Sequence, residues 1–110
     1  MKMPMLKLAV GLMLTFFISE CYAIDVNVQS TSDKISGLGF TANGSKHGGP
    51  GTSYNGSSMP KGVYTFGLRA DGKDVGCVDS HGKKKIKLTT NTNAVLNFNG
   101  RRCIVKISSE

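Results

Sequence analysis

An Asn99-Gly100 dipeptide stands between two runs, 94–98 and 101–107, in which apolar and polar residues alternate. Both residues tolerate the positive φ of a type I′ turn, so this is the strongest short-range hairpin signal a sequence can carry. A two-residue turn sets Phe98 opposite Arg101, Asn97 opposite Arg102 and Leu96 opposite Cys103. Side chains alternate along a strand, so Leu96, Phe98, Cys103 and Val105 share one face, and Asn97 and Arg102 take the other.

Asp71-Gly72 repeats the signal behind the run VYTFGLR, residues 63–69. Its register opposes Leu68 to Val75, Phe66 to Cys77 and Tyr64 to Asp79, and pairs Arg69 with Asp74. It also sets Gly67 against Gly76, a smooth strip that another molecule can approach closely. Cys77 thus shares a face with Phe66 and Leu68, as Cys103 does with Leu96 and Phe98. Two independent registers turn both cysteines inward, and Cys21 leaves with a leader, so a Cys77–Cys103 disulfide is expected. It closes a loop of about 26 residues, a constraint of roughly 3 to 4 kcal/mol in the chain-entropy model. A domain this small needs such a staple.

The rest of the chain alternates in the same manner. Ile24 to Val28 reads as a half-buried strand, and Ile35 to Thr41 as a weaker one, with a bulge, bend or close backbone approach at Gly37 or Gly39. Residues 43–58 are rich in glycine and serine and almost devoid of aliphatic residues, which predicts a flexible loop carrying His47 and Tyr54 as candidate contacts. Asn43-Gly44-Ser45 and Asn55-Gly56-Ser57 fit the N-glycosylation sequon. Behind Lys83-Lys84-Lys85, a loop at 91–93 would fold Ile86-Lys87-Leu88 onto the next run, with Leu88 opposite Leu96 and Lys87 opposite Asn97. No helical period follows the leader. The expected fold is all-β: a small antiparallel β-sandwich or barrel of about six to seven strands, stapled by one disulfide.

Pro60-Lys61-Gly62 followed by Val63-Tyr64-Thr65-Phe66 resembles the opening of a late strand in exported β-sandwich modules such as PEGA-like and collagen-adhesin B-type repeats. The resemblance covers about nine residues; it implies a β-sandwich and carries no active site.

Residues 1–23 combine two lysines, an apolar run from Leu8 to Ile18 and a short tail ending in Ala23, the pattern of a signal peptide cleaved after Ala23. Its apolar part is too short to span a bilayer. The alternative is a lipoprotein acylated at Cys21, although Glu20 occupies a place normally held by a small residue. A single domain, 24–110, follows with no transmembrane segment, in the periplasm or outside the cell. The formal charge of +7 falls to about +6 when Lys2, Lys7 and Glu20 leave. Such a balance attracts polyanions and anionic surfaces.

No hydrolase, zinc, nucleotide or paired-carboxylate motif appears, so neither catalysis nor a metal or cofactor is expected. A Cys103–His81 nucleophile would need a free thiol. The absence of tryptophan and of an aromatic stacking row argues against nucleic acid. The expected function is a non-catalytic binding module. Its basic sheet face, built from Lys85, Lys87, Asn97, Asn99, Arg102 and Lys106, would meet an acidic glycan, a lipid head group or an acidic protein surface. The alternative is an enzyme inhibitor acting through the 43–58 loop.

Overall fold

The computed structural model describes residues 23–109. Among them are nine strands and no helix: β1 (Ile24–Ser30), β2 (Gly37–Ala42), β3 (Ser45–Pro50), β4 (Ser53–Met59), β5 (Gly62–Ala70), β6 (Lys73–Val78), β7 (Ile86–Leu88), β8 (Thr92–Phe98) and β9 (Cys103–Ser109). They form one nearly closed, barrel-like sheet in the order β3-β2-β5-β6-β9-β8-β1-β4, with β7 added beside β5. The signal peptide expected over 1–23, and Cys21 with it, lies outside the described residues apart from Ala23.

The sheet is mixed, and this corrects the antiparallel expectation. β1 runs parallel to β8, and β6 runs parallel to β9. Both pairings join strands distant in sequence, which hairpin-by-hairpin reading does not reach. Alternation nevertheless sorts the faces. Val26, Val28, Leu38, Phe40, Tyr64, Phe66, Leu68, Ala94, Leu96 and Val105 are buried in one core, the larger of them contributing about 1.5–3 kcal/mol each.

Tyr64 is wholly buried, and its hydroxyl donates to the Pro60 carbonyl at 2.6 Å. This bond ties β5 back to its incoming turn, as a tyrosine does in many β-sandwich domains. Burial raises the Tyr64 pKa above its ordinary value. At the same corner the Asn43 amide accepts from the Val63 N–H at 2.9 Å and donates to the Lys61 carbonyl at 3.2 Å. The Asn43 sequon therefore has its amide engaged in the folded chain.

Residues 43–58 are two strands rather than a flexible loop. Asn43 and Gly44, at φ 50° and 92°, close β2 onto β3 in a two-residue turn with Ala42 opposite Ser45, and β4 runs antiparallel along β1. Low aliphatic content misleads here because β3 and β4 are edge strands, paired on one side and largely exposed. What holds them besides the ladders is His47 stacked on Phe40 at 5.5 Å, Tyr54 edge-on to the same ring at 5.8 Å, and buried Met59.

The Asp71-Gly72 hairpin has the expected register, from Ala70–Lys73 through Arg69–Asp74 and Leu68–Val75 to Gly67–Gly76. Beyond Gly76, β6 leaves β5 and joins β9, Cys77 beside Cys103 and Val78 beside Ile104, while Tyr64 pairs with Ile86. The disulfide forms between these neighbours, with Cα atoms 4.6 Å apart. At the other hairpin Asn99-Gly100 belongs to a four-residue loop. The Asn99 carboxamide oxygen accepts from the N–H groups of Arg101 and Arg102 at 2.9 and 2.8 Å, so Phe98 faces Cys103, Asn97 faces Ile104 and Leu96 faces Val105. A slip of two residues leaves every side chain on its face, which is why Cys103 is buried all the same.

Candidate functional site

Register brings Gly48, Gly39, Gly67 and Gly76 side by side across β3, β2, β5 and β6. Their neighbours along β2 and β5, namely Leu38, Phe40, Phe66 and Leu68, point into the core, so the glycines face outward. On the same face one adjoining row holds Lys46, Thr41 and Thr65, and the other holds Pro50, Gly37, Arg69 and Asp74. All of these except Gly48 and Pro50 line a groove of ≈ 510 Å³ whose floor is backbone.

The glycines have two different causes. At Gly39 an added Cβ would collide with the His47 carbonyl oxygen and stand 2.9 Å from the Gly48 Cα, so the close approach of β2 and β3 demands glycine. At Gly76 an added Cβ meets nothing within 4 Å. Glycine inside a strand costs about 0.5–1 kcal/mol relative to alanine. Packing explains that cost at Gly39 and leaves it unexplained at Gly76, where the absent side chain keeps the groove open.

The polar groups at the groove have spare capacity. Thr41 and Thr65 share a hydroxyl–hydroxyl hydrogen bond of 2.6 Å, which uses one hydrogen and leaves the other, with several lone pairs, for a ligand. Arg69 donates to Asp74 at 2.7 Å and to the Gly72 carbonyl at 3.1 Å. Guanidinium has five N–H donors, so several stay free. The ion pair is solvent-exposed, with side chains 55% and 85% accessible, and contributes at most about 1 kcal/mol. An incoming anion can compete for Arg69. Lys46 adds a cation from β3.

The predicted row of Lys87, Asn97 and Arg102 does not form. β7 pairs with β5 instead of β8, which sets Lys87 beside Val63, and the slip at the β8–β9 tip sets Asn97 beside Ile104. Lys85 is exposed just before β7, and Lys106 is exposed opposite Val95. Asn97, Asn99 and Arg102 do come together: with Thr31, Phe98 and Ile104 they line a second concavity of ≈ 470 Å³ at the β8–β9 tip. His47 and Tyr54 are held against Phe40. In the loop between β6 and β7, the Asp79 carboxylate accepts from the N–H of Lys83 at 2.9 Å and of His81 at 2.8 Å. These bonds hold its pKa below the ordinary 3.8, the Lys83 bond most strongly.

Sequence reading missed Lys46, Thr41 and Thr65. A signal for part of the groove was present, since a type I′ turn at Asn43-Gly44 places Thr41 opposite Lys46 and Gly39 opposite Gly48 by counting. No local signal pairs β2 with β5, and that pairing joins the two hairpins into one face.

Compared with protein-family models, curated proteins and solved structures, the chain matches none.

Proposed function

We propose that this chain is an exported, non-catalytic binding module that holds an anionic partner on the outer face of β3-β2-β5-β6. The observation that carries this reading is the glycine-floored groove with Lys46 and Arg69 at its walls. Net charge draws anions toward the whole surface, while the groove adds shape and, through Thr41, Thr65 and the free donors of Arg69, directional hydrogen bonds. Lys85, Lys87 and Lys106 contribute long-range attraction rather than contacts. The disulfide is compatible with the periplasm or the cell exterior. Inhibition of an enzyme through residues 43–58 is the less supported reading, since most of them form β3 and β4 rather than a flexible loop.

The test is titration of isotope-labelled protein with polygalacturonate, anionic phospholipid vesicles and polyglutamate, followed by amide chemical shifts at low and high salt. The expected result is that Gly39, Thr65, Gly67 and Gly76 shift with one of these polyanions and that affinity falls steeply with salt. Shifts confined to the exposed Lys83–Lys85 run, or binding indifferent to salt, would overturn the reading.

A further inference from the structure

Building on that reading, we infer that the groove's occupant is an acidic polysaccharide, lying across the strands from Lys46 to Arg102. The geometry of the disulfide joins the two concavities. Gly76 lines the groove and immediately precedes Cys77; Arg102 lines the tip concavity and immediately precedes Cys103; and Cys77 and Cys103 are parallel neighbours. The far end of the groove therefore opens onto Arg102, while Lys46 stands at its other end on β3. From β3 to β9 is four strand-to-strand steps, about 19 Å of surface at the usual ~4.8 Å spacing.

Charge along this track is complementary to one kind of chain. Cations stand at both ends, and between them lie bare backbone, the Thr41–Thr65 hydroxyl pair and the Arg69–Asp74 pair. Asp74 accepts hydrogen bonds and repels anions, so the middle of the track suits hydroxyl groups rather than unbroken negative charge. A polyuronic acid carries both, with carboxylates for Lys46 and Arg102 and ring hydroxyls for Thr41, Thr65, Asp74 and Asn97. A bilayer surface is flat and would rest on the rims. A polypeptide adding as a strand needs a free sheet edge; β2 and β5 at the floor are paired on both sides, and the free edge at β3 would place such a strand beside the groove rather than across it.

Calorimetric titration with oligogalacturonates from dimer to octamer tests this at low salt. Affinity is expected to rise with length until the chain spans the track and then to level off. Lys46→Gln and Arg102→Gln should each weaken octamer binding about fivefold, with the exposed Lys84→Gln changing it little and all three variants unfolding at the wild-type midpoint. Length-independent binding, or an equal loss in Lys84→Gln, would overturn the assignment. If oligogalacturonate fails while another polyanion still shifts the groove amides, the polysaccharide falls and the binding module stands. If no polyanion shifts them, both fall.

Discussion

Replacing Cys77 and Cys103 together by alanine removes the constraint at the weakest joint of the sheet. Among the described residues, only two pairs, Cys77–Cys103 and Val78–Ile104, connect the β3-β2-β5-β6 side to the β9-β8-β1-β4 side by a ladder. The crosslink spans a sequence separation of 26. The chain-entropy model assigns such a loop about 3.5 kcal/mol, a large share of the ~5–15 kcal/mol by which native domains are stable. For a domain of this size the melting temperature should fall by about 15–25 °C. Urea unfolding of the double variant gives the free energy. Native-state hydrogen exchange locates it, with protection at Val78 and Ile104 lost before that at Phe40 and Phe66. A double variant within about 1 kcal/mol of the wild type would refute the claim that this bond holds the two sides together.

Tyr64→Phe should cost about 1–2 kcal/mol in urea unfolding, because it leaves the Pro60 carbonyl without its donor while the ring still fills the core. Gly39→Ala should cost about 1–3 kcal/mol, since the new methyl group meets backbone on β3 and the ladder must spread. Asp79 has a folded pKa below its unfolded value, so its contribution is complete above the ordinary carboxylate range and is lost as pH falls through the depressed folded pKa. Protection of the His81 and Lys83 amides, taken relative to the intrinsic exchange rate at each pH, should fall together on acidification, and in Asp79→Ala it should be low at every pH.

Parity survived where register did not. Leu96, Phe98 and Cys103 keep the expected face although Asn99-Gly100 lies in a loop twice the expected length, because a slip of two residues preserves alternation. Asp71-Gly72 gave its hairpin correctly as far as the Gly67–Gly76 pair that became part of the groove floor, whereas the expected Phe66–Cys77 and Tyr64–Asp79 pairs do not form because β6 crosses to β9. The same dipeptide logic applied at Asn43-Gly44, but the following strand, SKHGGP, has no aliphatic residue to mark it. Its order comes from a ladder to β2 and from His47 on Phe40, both set by the tertiary fold. Ile86 to Leu88 alternates equally well beside β5 or β8, so its neighbour depends on which edge is available when the sheet closes. The basic row failed for that reason, whereas the tip residues Asn97, Asn99 and Arg102 met because they are close in sequence.

Gly76→Leu tests most directly whether the groove holds the partner. An added Cβ there meets nothing, and β6 has no packing need for glycine at this position. The account predicts a melting temperature equal to or slightly above that of the wild type, together with a loss of polyanion binding of at least about tenfold, a 1.4 kcal/mol effect. Gly76→Ala should show a smaller loss. A folded Gly76→Leu protein that binds polyanions as tightly as the wild type would contradict the claim.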